Sequence, residues 1–363
     1  MTEFIQTRIQ NRTAFLTLDR PRALNSLSLD MVRAITEVLL AWRDDPAVRA
    51  VVVHGSSDKA FCAGGDIRFF HDAGQATPRG GSALLEDFFT EEYALNHLIH
   101  HYPKPYIALM DGIVMGGGMG VAQAGAPCRL RIVTERTKMA MPEVNIGLFP
   151  DVGGGFFLSR APGELGTYLG VTGETVTAAD ALYAQLADLF VPSERLPALM
   201  ELLETAPDAD LRTAVQVFAT PFQTAVDIDD CRLALHRAAI DRHFASDQVA
   251  AIVASLAADD SVFAQQTLAV MQKRSPLMMC VTLAQLRRAV HLPIADCLRL
   301  ERTMVRRCFE HGEVLEGVRA LVIDKDNAPR WQPPTLEEVT PEMVERFFAP
   351  AWPDAAHPLR DLR

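Results

Sequence analysis

The sequence predicts an α/β fold of stacked layers followed by a long helical region. Three observations carry this. Up to about residue 192 the elements read strand, strand, helix, repeated, which differs from the single strand–helix alternation of a doubly wound sheet. After Pro192 apolar residues recur at helical spacing with few interruptions. Between Lys104 and Arg160 lie two triple-glycine runs, Gly116–Gly118 and Gly153–Gly155, where bare backbone is free to approach a ligand or a neighbouring chain. The boundary is placed at 192, giving a layered core over 1–192 and a mainly helical region over 193–363.

The elements follow from local signals. Phe4 to Arg20 reads as two strands around an Asn11-Arg12-Thr13 turn, with Ala14, Leu16 and Leu18 on one face. Ser28 is an N-cap for a helix whose apolar stripe is Ile35, Val38, Leu39 and Trp42. Val48 to Val53 is a β-branched run that suits a buried strand, and Ala63-Gly64-Gly65-Asp66 is a tight turn opening a helix. Phe88 to His101 is helical, Tyr106 to Met110 β-like, and a helix starts within Gly116 to Gly120. Cys128 to Val133 and Thr137 to Ala140 are short strands. Beyond 192, six helical stretches run from Leu196 to Glu310, one of them started by Ser275-Pro276.

Composition excludes several classes. The 363 residues are 49% hydrophobic and 22% charged, normal for a chain that buries a large core. A net charge of -11 argues against nucleic-acid binding. Six scattered cysteines, 62, 128, 231, 280, 297 and 308, without CxxC spacing read as free thiols in a reducing compartment. The first residues lack both an apolar h-region and a Ser/Arg-rich presequence, and no apolar run reaches the length of about 18 residues that spans a membrane. The location expected on this basis is cytoplasmic.

The chemistry-bearing residues gather around the glycines. The turn Ala63-Gly64-Gly65-Asp66 and the run Met115-Gly116-Gly117-Gly118-Met119-Gly120, each before a helix start, would offer N–H groups at the positive end of a helix. Together two such loops would make an oxyanion hole for an ester or thioester carbonyl. The structural alternative is a pair of close-packed turns. Glu143 and Asp151, each after a proline in apolar surroundings, suit acid–base or nucleophilic work, or else serve as caps. Of Glu91 and Glu92 only one would face inward from a helix. His97 and His101 are four apart, but no HExxH pattern accompanies them, so no metal site is expected. There is no P-loop, no dinucleotide fingerprint and no GxSxG elbow.

The pair FCAGGDI (61–67) and MDGIVMGGGMG (110–120) resembles the enoyl-CoA hydratase/isomerase (crotonase) superfamily. MPEVNIGLFPDVGGGFFLSRAPGELGTYLGVTG (141–173) is similar to its 3-hydroxyisobutyryl-CoA hydrolase branch, as are 275–289, 311–333 and 340–348. The resemblance implies a β-β-α spiral core. It places the oxyanion amides at Gly65 and Gly117, the catalytic acids at Glu143 and Asp151, and a substrate-contacting glutamate at Glu92. Substrate also meets Gly117, Glu143 and Asp151. Backbone at Ala23, Ala63 and Ile67 is implied to hold coenzyme A, which arrives as part of the substrate, with no other cofactor.

The implied activity is hydrolysis of a short 3-hydroxyacyl-CoA, foremost 3-hydroxyisobutyryl-CoA, a step in valine breakdown. Hydratases carry a second catalytic glutamate three residues after the middle glycine, where this chain has Gly120. Hydration or isomerisation is therefore the weaker alternative, and a non-catalytic acyl-CoA binder a third. A homo-oligomer is in keeping with the superfamily. The stretch around Gly125 to Arg131 is a few residues longer than the superfamily pattern.

Overall fold

Strand formation begins at a two-residue turn. Asn11 and Arg12 take positive φ, 44° and 68°, the twist that suits a tight hairpin. They join β1 (Ile5–Gln10) to β2 (Thr13–Leu18) in antiparallel register, from Gln10↔Thr13 to Ile5↔Leu18. The computed structural model describes residues 2–123, 125, 129–205, 210–229 and 231–363. Among them follow β3 (Ala50–Gly55), β4 (Ala60–Cys62), β5 (Tyr106–Met110), β6 (Ile113–Met115), β7 (Arg129–Val133), β8 (Lys138–Ala140) and β9 (Leu189–Phe190).

Successive strands go to different sheets, and this explains the doubled strands of the sequence pattern. One sheet has the order β1-β2-β3-β5-β7-β9 and the other β4-β6-β8. All pairings after the hairpin are parallel. The chain thus lays one strand in the large sheet and the next in the small one before a helix or loop returns it, the β-β-α spiral that the resemblance implies. Parallel strands covered on both faces read as unbroken apolar runs. Val51 to Val53 and Tyr106 to Met110 are buried residue after residue. The period-two pattern of β2 predicts one buried face, yet Phe15 on the other face is buried as well. The helices Leu196–Thr205 and Leu211–Ala219 cover it, through Leu199, Leu203, Leu211 and Val215.

The chain forms two compact units, each of three segments. One comprises 1–65, 95–140 and 176–234 and contains both sheets; the other comprises 66–94, 141–175 and 235–363 and is helical throughout. The boundary expected at 192 is corrected in this respect. Composition changes there, but the first helices beyond it complete the core of the sheet unit.

Helix starts follow the caps predicted at Ser28 and Ser275, and Asp66 adds a third. The Ser28 hydroxyl accepts from Met31 N–H (3.3 Å), Asp66 from Phe69 N–H (3.3 Å) and Ser275 from Met278 N–H (3.0 Å). The stretch 229–244 is split into two shorter helices, Arg232–Leu235 and Arg237–His243. Cysteines 62, 231, 280, 297 and 308 are free thiols. Cys128, and with it residues 126–128 of the stretch expected to be lengthened, lies outside the described residues. No helix among the described residues is long and apolar enough to cross a membrane.

Candidate active site

The amide loops are built in the sheet unit. β4 and β6 pair side by side, so the turns that follow them emerge together. Gly64 has φ +97° and lies so close to the second turn that a Cβ on it would stand 3.0 Å from the Met115 carbonyl and 3.3 Å from the Gly117 nitrogen. Gly117 opens the helix Gly117–Ala122, so its N–H has no intrahelical acceptor. That helix is set by neighbours. A Cβ on Gly118 would meet the Cys62 carbonyl at under 3.0 Å, and Tyr106 donates its hydroxyl to the Val121 carbonyl at 2.9 Å. The turns that carry Gly65 and Gly117 therefore lie side by side.

The loop Arg20–Leu27 is pinned to the first turn. Ala63 N–H donates to Leu24 O (3.0 Å) and Leu27 N–H to Gly64 O (2.8 Å). Buried Asn25 accepts from Arg20 N–H (2.9 Å) and donates to Ala60 O (2.9 Å). Ala23 and Ala63 thus share one edge of the sheet unit. The Ala23 N–H donates to Arg20 O at 3.0 Å and its carbonyl accepts from Ser26 N–H at 3.0 Å, which leaves the second lone pair of that carbonyl. Ile67 is the first residue of the helix Ile67–Ala76 in the other unit. His97 and His101 meet as tilted rings, 42° between planes, with centroids 4.3 Å apart, and no metal-holding cluster occurs among the described residues.

The carboxylates are grouped in the helical unit. Glu92, Glu143 and Asp151 are 2%, 6% and 5% exposed. Glu92 is the inward member of the Glu91-Glu92 pair. Glu143 begins a single 3-10 turn, Glu143–Ile146, directly after Pro142. Burial raises all three carboxyls above the ordinary range, and the charge of Asp151 pushes Glu92 and Glu143 higher still. Asp151 itself is raised to about 6, burial outweighing a hydrogen bond from Tyr93. Like charges so placed do not all ionise together, so the group stores a proton near neutral pH. Glu92 Oε1 and Glu143 Oε2 are buried without a hydrogen-bond partner among the described residues. Buried polar atoms are otherwise almost always paired, so these two mark a place for a polar ligand. Phe70, Phe88, Phe89 and Phe309 pack against one another beside Tyr93 and provide the apolar wall.

Two further members gave no sequence signal. Tyr93 Oη donates to Asp151 Oδ2 at 2.6 Å. Glu301, 1% exposed, accepts from the N–H groups of Gly153 (2.8 Å) and Gly155 (2.9 Å). A tyrosine beside a glutamate pair and an acid on a distant amphipathic helix are ordinary in sequence. Tyr93→Phe removes a donor that favours the charged form of Asp151, so the Asp151 pKa rises further above 6. A hydrogen bond to a charged group is worth about 1.5–3 kcal/mol, so the acid limb of the kcat/KM profile is expected to move up by roughly 1–2 pH units. An acid limb that stays in place would separate Tyr93 from the ionisation that limits the rate.

Alternating strands in two sheets, joined glycine loops and a buried acidic group define a crotonase-type fold. The chain belongs to the enoyl-CoA hydratase/isomerase family, whose model matches residues 13–348. It is 41% identical to the mitochondrial 3-hydroxyisobutyryl-CoA hydrolase of Xenopus tropicalis, over 92% of this chain and 85% of that protein. Among solved structures, a carnitinyl-CoA dehydratase from Mycobacterium thermoresistibile superposes with TM-score 0.87 at 39% identity, covering 97% of this chain and 98% of that one. An enoyl-CoA hydratase from Rhodobacter sphaeroides 2.4.1 superposes with TM-score 0.86 at 39% identity, covering 96% and 98%.

The expected cytoplasmic location is corrected by these relatives. Curated ones from frog, chicken and human are named mitochondrial. Free thiols and a soluble composition are compatible with any reducing compartment, and a cellular address is read by receptors rather than set by the fold.

Proposed function

We propose that the chain hydrolyses 3-hydroxyisobutyryl-CoA to 3-hydroxyisobutyrate and free coenzyme A, the step of valine breakdown that the resemblance implies. The observation that carries this is the match over nearly its whole length to curated relatives of that name, at 38–41% identity. The buried pair Glu143 and Asp151 supplies chemistry that fits. The N–H groups of Gly65 and Gly117 bind the thioester oxygen and stabilise the charge that develops there, an effect typically worth about 10²–10³ in rate per donor. Glu143 acts on the carbonyl carbon. As nucleophile it forms a mixed anhydride while the C–S bond breaks, and water then opens the anhydride. As base it removes a proton from water, which attacks directly. Either way Asp151, ionised at rest, takes a proton from the water consumed and passes it to the leaving thiolate. The reaction balances with water alone. Glu92 binds the 3-hydroxyl, and backbone at Ala23, Ala63 and Ile67 holds the coenzyme A portion.

Hydration of an enoyl-CoA is the second reading, favoured by the names of the two solved structures. Gly120 weighs against it, since the second carboxylate of hydratases has no counterpart there. One assay separates the readings. Thiol release is followed over short 3-hydroxyacyl-CoAs and their unhydroxylated counterparts, and the enoyl absorbance of crotonyl-CoA is followed alongside. Release that is fastest with 3-hydroxyisobutyryl-CoA supports hydrolysis. Loss of the enoyl band without thiol would sink it. Single turnover in ¹⁸O water labels the Glu143 carboxylate only on the anhydride route.

A further inference from the structure

Asp151 sits at the start of a turn that its own sequence disfavours. Val152 has φ +53° and Gly153 φ +86°. A β-branched residue in the left-handed region is a true outlier, because its Cβ crowds the following carbonyl. Such strain persists only where surroundings over-determine it. The surroundings are two helices. On Ile294–His311, Glu301 accepts from Gly153 N–H through Oε2 (2.8 Å) and from Gly155 N–H through Oε1 (2.9 Å). On Pro276–Ala289, Gln285 donates from one nitrogen to Pro150 O (2.8 Å) and to Glu301 Oε1 (3.3 Å). The segment is gripped on both sides of Asp151, at 150 and at 153–155. Its carboxylate is held separately by Tyr93. Gly155 leaves no room to spare: a Cβ there would stand 3.0 Å from both Gln285 Nε2 and Glu301 Oε1.

We propose that Glu301 is a positioning residue, whose paired bonds to Gly153 and Gly155 hold the left-handed turn at Val152 and thereby aim Asp151. Gln285 braces the same clamp. The inference rests on the reading of Asp151 as a catalytic acid. Glu301 need not touch substrate; a carboxylate is used because two adjacent amide donors are met best by two acceptor oxygens on one planar group.

Glu301→Gln tests this with nearly unchanged shape, since its amide nitrogen meets an N–H and one bond is lost. Two measurements are made on the full chain. In amide hydrogen exchange, residues 152–155 are expected to exchange about 10-fold faster or more while the remaining helices keep their protection. In thiol release from 3-hydroxyisobutyryl-CoA, kcat is expected to fall roughly 10–100-fold with KM within about 3-fold, as for misplacement of a catalytic group. In an Asp151→Asn background the same change is expected to cost nothing further, because the effect passes through Asp151. Unchanged exchange overturns the clamp. Losses that multiply across the double variant, or a raised KM with intact kcat, leave Glu301 as a helix cap and overturn the positioning role. A wild type that releases no thiol overturns the proposed function instead, while the exchange result still decides the clamp. Should Glu301→Gln fail to fold, Gln285→Met frees only the Pro150 side and is expected to show the same pattern at smaller size; a Gln285→Met protein with normal exchange and kcat overturns the proposal.

Discussion

Glu143→Gln is expected to lower kcat for thiol release by about 10²–10⁴-fold, the usual range for loss of a catalytic acid–base or nucleophilic group. Glutamine keeps the shape of the side chain but neither attacks a carbonyl nor takes a proton from water. The variant is also expected to fold at least as well as the parent near neutral pH. Burial and the charge of Asp151 raise the Glu143 pKa in the folded protein. A carboxyl raised in this way favours the folded state below its unfolded pKa, near 4.5, and loses that advantage as pH climbs towards the folded value. The amide removes this penalty, so the melting temperature of the variant should exceed that of the parent increasingly as pH rises above about 5. Thermal melts from pH 5 to 8 beside the kinetic assay check both parts. Full hydrolysis in the variant would remove Glu143 from the mechanism. A lower melting temperature across the range would mean that its charge is compensated by a partner.

Gly118→Ala is expected to have the largest effect on stability. The new methyl would lie under 3.0 Å from the Cys62 carbonyl, and Cys62 C and Cβ are also within reach. Backbone on a buried strand has little freedom to move aside, and overpacking of this kind costs about 1–3 kcal/mol or more. For a protein of this size that is a fall in melting temperature of about 1–4 °C. Activity should fall beyond what stability explains, because the helix that shifts begins at Gly117. A Gly118→Ala protein with the parent melting temperature and rate would mean that the helix start is looser than its packing indicates.

These two residues show how much of the site was legible. Gly117, Gly118 and Gly65 stand out because glycine runs are unfavourable unless backbone must come close, and the structure supplies the close approach. Glu143 and Asp151 stand out because acids in apolar stretches need a reason to be there. Asn25, Tyr93 and Glu301 did not stand out. Their partners lie 35, 58 and 148 residues away along the chain. A hydrogen bond across that distance leaves no local pattern, since neither the spacing nor the residue type of one partner constrains the other. The strain at Val152 was hidden for the same reason: valine reads as an ordinary apolar residue until its backbone angle is known.

The sequence by itself determined the doubled strands, the caps at Ser28 and Ser275, the glycine loops and the two acids, Glu143 and Asp151, set in apolar stretches. All of these rest on local propensity, period or steric need, which short stretches encode directly. Only the tertiary structure decided that successive strands enter different sheets and that the helices at 196–219 complete the core of the sheet unit. The same is true of the three buried acids, which become one electrostatic group through Asp151. Those outcomes depend on which surfaces meet, and long-range packing selects among partners that each segment alone would accept. The glycine loops and Glu143 were therefore readable from the chain, whereas the clamp that aims Asp151 exists only once two distant helices close on it.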